Sequence, residues 1–174
     1  LTEDYGNPSS THSLGRNAKN ILELSRKSIA KHINATAQEI IFTSCATEAN
    51  NWILRSAIKD LKVTRIITSK IEHHAVLHTA IALQNEYAVD VDYVKIKPNG
   101  EIDLTHLVEL LAKEKKTLVS LMHVNNETGT ILDLDRVSQI CKEHNALFHS
   151  DTVRSIGKTK IDLQNTPVDF IVAS

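Results

Sequence analysis

The chain has 174 residues, 41% of them hydrophobic and 24% charged, which is the composition of an ordinary globular protein with room for one core. Its 20 basic and 21 acidic residues give a net charge of −1, so nothing electrostatic favours binding to nucleic acid or an anionic membrane. No apolar run approaches the roughly 18 residues that span a bilayer, and no signal-peptide pattern opens the chain. The only cysteines, Cys45 and Cys141, lack metal-ligand spacing, so we expect a reducing compartment and no disulfide scaffold.

Helical periodicity recurs along the chain after residues 1–15, which are rich in Gly, Ser and Thr and predict a loop. In each helical segment apolar residues return at steps of three and four and form one stripe. Asp103 precedes one such segment and is a candidate N-cap residue. The predicted helices cover residues 16–32, 44–61, 74–86, 104–111 and 134–141.

Short β-branched or apolar runs separate these helices and predict strands. Several runs are continuously apolar, which is typical of parallel strands that are buried on both faces. We therefore predict an α/β fold in three layers, with a mostly parallel sheet and helices on both faces, forming a single domain over residues 1–174. The predicted strands cover residues 39–43, 64–69, 89–96, 117–122, 146–149 and 169–173.

The two ends of the chain lead us to expect a piece of a longer protein. The first residue is Leu1 rather than Met, and the chain stops at Ser174 directly after an apolar strand-like run. A strand in that position has no following element to cover it.

Polar residues concentrate just after the predicted strands, and ligands of parallel sheets bind beyond the carboxyl ends of the strands. Asp151 is the most informative of these residues. An ionised carboxylate at the edge of a core costs several kcal/mol unless it is paired, and a protonated ring nitrogen of a bound cofactor would supply the pairing charge. The alternative is that Asp151 caps the following helical turn.

Three other stretches contain candidate residues, and two of the stretches have a structural alternative. Ala46 and Thr47 open a helix whose free N–H groups and dipole suit a phosphate, or they form an ordinary helix start. His73 follows a strand, where an imidazole stacks on a flat ligand or exchanges protons with it. Asn125 and Asn126 lie where a loop is due, and Asn also favours turns for local reasons.

The remaining candidates favour structural roles. His74 and His78 are four residues apart, but two ligands make no metal site, so we predict an exposed pair of helical histidines and no metal. Cys45 lies near a helix start, where a thiol pKa is lowered, although a small buried residue is the favoured interpretation. Cys141 lies on an apolar helical stripe and is predicted to be structural.

Taken together, the motifs resemble those of the cysteine desulfurases, which are pyridoxal-phosphate enzymes of the class V aminotransferase group. Five motifs occur in family order and cover nearly the whole chain, which makes the resemblance specific. They are GNPSSTH at 6–12, TSCATEANN at 43–51, EHHAV at 72–76, MHVNNETG at 122–129 and HSDTVRSIGK at 149–158.

The resemblance implies the large domain of a fold type I transferase with pyridoxal 5'-phosphate as cofactor. It implies that Ala46, Thr47 and Ser174 hold the cofactor phosphate. His73 would lie against the pyridine ring and relay protons, and Asn126 would border the oxygen side of the ring. Asp151 would pair with the protonated ring nitrogen.

Three features depart from the family pattern. The lysine that binds the cofactor covalently would follow Ser174, and the persulfide-forming cysteine would lie on a later loop, so we expect both outside this chain. Cys45 stands where the family usually has Gly. Arg154 stands where the family usually has a Gln that donates to the phenolic oxygen of the cofactor, and its guanidinium could donate there or pair with Asp151.

The resemblance therefore implies a fragment of a cysteine desulfurase. The complete enzyme would convert L-cysteine to L-alanine and an enzyme persulfide for iron–sulfur or thionucleoside assembly, as a homodimer with a sulfur-acceptor partner, in the cytoplasm or the mitochondrial matrix. We expect the fragment to be inactive alone. The alternatives are a selenocysteine lyase or another class V aminotransferase, and a catalytically dead module for dimerisation or sulfur transfer.

Overall fold

A computed structural model of the chain describes residues 5–174. Contacts divide the chain into two compact units, and all the strands lie in one of them. The smaller unit comprises Leu1–Phe42 with Ile161–Gln164, and the larger comprises Thr43–Lys160 with Asn165–Ser174. That residues 1–174 form a single domain stays a prediction.

The larger unit is built on a five-stranded sheet in the order β2-β1-β3-β4-β5, in which every pair of neighbours is parallel. The sheet therefore has one carboxyl edge, where all five strands end together. The strands are β1 (Arg65–Thr68), β2 (Asp90–Tyr93), β3 (Thr117–Ser120), β4 (Leu147–Asp151) and β5 (Phe170–Val172).

Helices cover both faces of this sheet. Successive strand residues point to opposite faces, and the core divides accordingly: Ile66 and Leu118 pack in one apolar cluster, whereas their neighbours Ile67 and Val119 pack in the other. The first cluster lies under α2 and α3, and the second lies under α4 and α5. These helices are α2 (Ala46–Lys59), α3 (His74–Tyr87), α4 (Leu104–Leu111) and α5 (Leu134–Glu143).

The smaller unit contains the remaining long helix, α1 (Ser13–His32). Its loop before α1 needs glycine at Gly6, because a Cβ atom there would collide with the backbone of Leu14. The Leu163 N–H donates to the Ile33 carbonyl oxygen at 3.0 Å, which ties the segment 161–164 to the end of α1.

The predicted fold is confirmed as an α/β fold with a parallel sheet and helices on both faces. Asp103 is the N-cap of α4, where its carboxylate accepts from the N–H groups of Thr105 and His106. Each predicted helix is present, as are five of the predicted strands, with the last predicted strand shortened to Phe170–Val172. The loop predicted at residues 1–15 ends earlier than predicted, because the His12 imidazole caps α1 and the helix begins at Ser13. Residues 1–4 of that loop lie outside the described residues.

The strand predicted at residues 39–43 is wrong. Ala37–Glu39 form a short 3₁₀ helix, Ile40 is extended, and residues 40–43 belong to no strand among the described residues. Instead, the Arg26 guanidinium donates to the Ile40 carbonyl oxygen and lies over the Phe42 ring at 4.9 Å from its centroid. β-branched residues favour extended backbone, but a strand also needs a hydrogen-bonded neighbour.

Candidate functional site

The sequence-predicted residues of the larger unit follow the strand ends along the carboxyl edge of the sheet, and Asp151 ends β4, between β3 and β5. Asp151 is the last residue of β4 and lies in register with Val172, the last residue of β5, and Ser174 follows Val172 by two residues, past the end of that strand. On the other side, the His123 N–H donates to the Asp151 carbonyl oxygen at 2.9 Å, just past the end of β3.

The Asp151 side chain is buried, with 6% of its surface exposed. Its Oδ2 accepts from the Asn50 side-chain amide at 2.9 Å, and its Oδ1 accepts from the Val153 N–H at 3.1 Å. The bond with Val153 agrees with the alternative given for the sequence, in which Asp151 caps the turn that follows it. Among residues 5–174, no Lys, Arg or His forms an ion pair with this carboxylate. A buried carboxylate without a cation fits a positively charged ligand at this edge.

The first turn of α2 lies beside Asp151, because Asn50 belongs to that helix and comes one turn after Thr47. Ala46 is the first residue of α2, and the N-cap residue before it, Cys45, offers this turn only a thiol, which is a weak acceptor. The N–H groups at this end therefore remain available to an anion. Ala46 is half-buried and Thr47 is exposed, so an incoming ligand has access to both.

Glu48 closes the outer side of this helix start. Its Oε2 accepts from the Ser44 N–H at 2.6 Å and from the Ser44 hydroxyl at 2.7 Å. These hydrogen bonds lower the pKa of Glu48, since both favour the charged form. The turn before α2 is thus fixed by a carboxylate that reaches back along the chain.

His73 is the N-cap residue of α3. Its Nδ1 accepts from the Ala75 N–H at 3.1 Å, so in the neutral ring the proton lies on Nε2. The imidazole is exposed, and its ring plane is anchored by this bond. The preceding residue, Glu72, is buried, and its Oε1 accepts from the Ser69 hydroxyl at 2.9 Å and the Met122 N–H at 3.0 Å.

The two neighbouring asparagines after β3 differ in their contacts. Asn125 is buried and organises its loop: its amide donates to the Ile71 carbonyl oxygen at 2.7 Å, and its Oδ1 accepts from the N–H groups of Glu127 and Thr128. Asn126 is half-buried and donates to the Glu127 carboxylate at 2.6 Å. Asn125 therefore has the structural role, and the ligand role of Asn126 stays a prediction.

Two buried histidines lie behind this edge. His123 Nδ1 is 2.8 Å from the Ser155 hydroxyl, and burial lowers the pKa of His123. His149 Nδ1 is 2.8 Å from the Ser120 hydroxyl, and complete burial lowers the pKa of His149 to about 3. Both rings are therefore neutral near pH 7.

Arg154 and Ser174 are exposed. Within the described part of the chain, Arg154 forms no ion pair with Asp151, so the structure does not have the competing pair that the sequence offered as one alternative. The hydrogen bonds of the Asp151 carboxylate are therefore those with the Asn50 amide and the Val153 N–H.

The favoured sequence interpretation of Cys45 as a small buried residue is wrong. Cys45 is exposed, because it precedes α2 at the rim of the sheet rather than beneath it. Hydrogen bonds from the Glu48 backbone and the Ser44 hydroxyl lower the pKa of its thiol. The structural prediction for Cys141 is confirmed: it is buried, and burial raises the pKa of its thiol to about 12.

His74 and His78 are exposed neighbours on α3, with ring centroids 4.8 Å apart. Across residues 5–174, no three His, Cys, Asp or Glu side chains are grouped so that they could hold a metal ion. Within the same residues, no helix combines the length and the apolar character that crossing a bilayer requires.

Sequence reasoning missed the contributions of Asn50 and Glu72. Asn50 lies within the quoted TSCATEANN motif, and its spacing of three residues from Thr47 places the two side chains on neighbouring positions of one helix face. Glu72 precedes His73 and follows the end of β1 by four residues. An acidic residue so close to a buried strand was a signal of the same kind as Asp151.

The whole chain matches a known protein family. The family described as "Aminotransferase class-V" matches residues 1–174. The chain is 41% identical over 173 residues to the putative cysteine desulfurase IscS 1 of Bacillus subtilis (strain 168), a match that covers 98% of this chain and 45% of that protein. It is 40% identical over 179 residues to the mitosomal cysteine desulfurase of Trachipleistophora hominis, covering 40% of that protein.

Solved structures give the same result. A NifS-like protein superposes with a TM-score of 0.93 and 40% identity, covering 99% of this chain and 48% of that one. The structure of SspA in complex with cysteine superposes with a TM-score of 0.93 and 32% identity, covering 50% of SspA. The chain thus spans about half the length of the relatives that it matches.

Proposed function

Because this chain belongs to the aminotransferase class-V family, we propose that it is part of a pyridoxal-phosphate-dependent cysteine desulfurase that converts L-cysteine to L-alanine and an enzyme persulfide. The observation that carries the proposal is the Asp151 carboxylate: it is buried at the carboxyl edge, held by Asn50, and without a basic partner in residues 5–174. The likeness to relatives named cysteine desulfurase and to a structure of SspA with cysteine supports the choice of substrate.

The residues at the edge suit the parts of pyridoxal 5'-phosphate. The N–H groups of Ala46 and Thr47 at the start of α2, with the hydroxyls of Thr47 and Ser174, would hold the phosphate. Asp151 would face the protonated ring nitrogen, and Asn126 and Arg154 would lie toward the phenolic oxygen. When bound, the cofactor supplies an electron sink for bond breaking in the substrate.

The protein's own groups have separate tasks. Asn50 fixes the Asp151 carboxylate in position through a hydrogen bond at 2.9 Å. His73 keeps its Nδ1 on the Ala75 N–H, which leaves Nε2 as the nitrogen that would exchange a proton near the substrate. We propose that the 174-residue chain alone does not complete the reaction, because the covalent lysine and the nucleophilic cysteine would lie elsewhere in the complete protein.

The wider setting is part of the same proposal. We infer a homodimer that passes sulfur to an acceptor or scaffold protein for iron–sulfur or thionucleoside assembly. The cytoplasm or the mitochondrial matrix would be its compartment, and the mitosomal assignment of one relative is compatible with an organellar form.

Two measurements test the proposal. The protein expressed from its whole reading frame should release alanine from L-cysteine in the presence of the cofactor, and the 174-residue chain should not. Asp151→Asn should weaken cofactor binding in an absorbance titration, whereas Asp60→Asn, at an exposed position after α2, should not change it. Cofactor binding without alanine release, but with turnover of selenocysteine or of amino-group acceptors, would instead favour another member of the family.

A further inference from the structure

Glu72 joins the ends of two strands at the carboxyl edge. It lies between β1 and α3 and is 6% exposed. Its Oε1 accepts from the Ser69 hydroxyl at 2.9 Å, directly after β1, and from the Met122 N–H at 3.0 Å, after β3. One carboxyl oxygen therefore fastens the turn that leads into His73 to the segment that leads into the asparagine loop.

The other oxygen, Oε2, is buried and has no hydrogen-bond partner among residues 5–174. Among the same residues, no Lys, Arg or His forms an ion pair with Glu72. An ionised Glu72 would thus be a buried charge with one bare oxygen, which is a costly arrangement. Burial raises the pKa of Glu72 to about 8, and the negative charge of Asp151 acts in the same direction.

Asp151 has the opposite pattern of contacts. Both of its oxygens accept from N–H donors, those of Asn50 and Val153. Neither oxygen lacks a donor, in contrast to Oε2 of Glu72.

We propose that Glu72 is a positioning residue that keeps its proton at neutral pH and holds the turn before His73 against the segment that follows β3. The part of this inference that concerns the ligand rests on the proposed function. The protonation of Glu72 follows from contacts within the chain and does not depend on that function.

The other titratable groups around Glu72 do not supply a counter-charge. A cavity of about 200 Å³ borders Glu72, and Lys97, Glu101 and Asp133 lie on its exposed rim. Lys97 pairs with Glu101 at 3.7 Å, and Asp133 caps α5 by accepting from the Arg136 N–H. Two residues before Glu72, Lys70 is exposed and lies over the Tyr93 ring at 5.8 Å from its centroid. The next residue, His73, is also exposed, and the charge of Asp151 acts on Glu72 from the end of β4.

The first test is spectroscopic and needs no cofactor. In the protein expressed from its whole reading frame, the infrared difference between wild type and Glu72→Gln should contain the carbonyl band of one protonated carboxylic acid at pH 7. This band should disappear as the pH rises through about 8. Glu109→Gln, on the exposed side of α4, should show no such band. Absence of the band at pH 7 would overturn the proposal.

The second test separates positioning from charge. Glu72→Gln keeps an oxygen that accepts the hydrogen bonds from Ser69 and Met122, and its side-chain N–H takes the place of the acid proton. This variant should therefore leave the NMR chemical shifts of the His73 ring unchanged. Glu72→Ala should move them and should weaken cofactor binding by about tenfold, whereas the Gln variant should stay within about twofold of wild type. A Gln variant as impaired as the Ala variant would contradict the proposal.

The two tests also separate this inference from the proposed function. A protonated Glu72 in a protein that binds no pyridoxal phosphate would remove the proposed function and leave the Glu72 assignment intact. Normal cofactor binding with an ionised Glu72 at pH 7 would instead contradict the Glu72 assignment and leave the proposed function intact.

Discussion

The side-chain amide of Asn50 lies 2.9 Å from Oδ2 of Asp151, although the two residues are 101 positions apart in the sequence. This hydrogen bond connects the first turns of α2 with the end of β4. The helix start that would take a phosphate and the carboxylate that would face a ring nitrogen are therefore held at a fixed separation. A ligand with both groups meets a preorganised pair of contacts.

We expect Asn50→Ala to weaken cofactor binding by roughly tenfold, because Asp151 loses the donor that fixes its carboxylate. Asn50→Asp should have a larger effect, since it places a second negative charge against Asp151 in a buried position. An absorbance titration with pyridoxal phosphate measures both effects.

The control for these variants is Asn85→Ala, which removes an exposed amide from α3. It should leave the affinity unchanged. Equal affinities of wild type and Asn50→Ala would show that Asp151 does not need its partner on α2.

The two cysteines should differ sharply in their reactivity. Cys45 is exposed and hydrogen bonds lower its thiol pKa, whereas Cys141 is buried and its thiol pKa is raised to about 12. Because the thiolate is the reactive form, iodoacetamide at pH 7 should label Cys45 much faster than Cys141. Mass spectrometry of peptides from the folded protein measures the two rates.

Cys45 labelling also reports on the start of α2. Bound pyridoxal phosphate should slow the reaction, since Ala46 and Thr47 follow Cys45 directly. Cys45→Ser should abolish the fast phase, and denaturation should make both thiols react. Labelling of Cys45 that is unaffected by saturating cofactor would place the phosphate elsewhere.

The sequence was sufficient for the sheet, because buried parallel strands impose continuous apolar runs. It also placed the candidate residues after the strands, at the shared carboxyl edge, where the ligand site stays a prediction. It failed at residues 39–43, where β-branched residues indicated a strand that has no partner to pair with among the described residues. It also failed for Cys45, because periodicity finds the apolar face of a helix but does not show whether the residue before the helix is covered.

Long-range side-chain pairing accounts for the other gaps. The bond from Asn50 to Asp151 and the bond from Met122 to Glu72 each join segments that are far apart in the sequence. No local pattern specifies such pairs, since each depends on how the whole sheet is assembled. The motifs contained these residues without assigning their tasks.

His149 should make the protein sensitive to acid. The unfolded chain binds a proton on this imidazole below pH about 6.5, but the buried ring does so only near pH 3. Stability should therefore fall as the pH drops from 6.5 toward 3, with a slope of about 1.4 kcal/mol per pH unit for one proton. Urea unfolding of wild type and His149→Gln across this range measures the difference.

The Gln variant should lose stability less steeply, since its side chain cannot take up the proton. The carboxylates that also titrate in this range are common to both proteins and cancel in the comparison. His78→Gln, at an exposed position on α3, should keep the slope of wild type. Parallel pH profiles for wild type and His149→Gln would refute this assignment.

Arg154→Gln should strengthen cofactor binding in the protein expressed from its whole reading frame. Arg154 is exposed three residues after Asp151 and forms no ion pair with it among the described residues, so its positive charge is not neutralised by that carboxylate. A guanidinium three residues from Asp151 weakens the local negative potential that this carboxylate would offer to a protonated ring nitrogen, whereas a Gln amide still donates a hydrogen bond to the phenolic oxygen. Absorbance titrations at low and high salt should show the largest gain in affinity at low salt, where charges are least screened.

The control is Lys158→Gln, which removes an exposed positive charge four residues after Arg154 and should have little effect on the affinity. An affinity of Arg154→Gln equal to or below that of wild type would indicate that the guanidinium itself binds the cofactor.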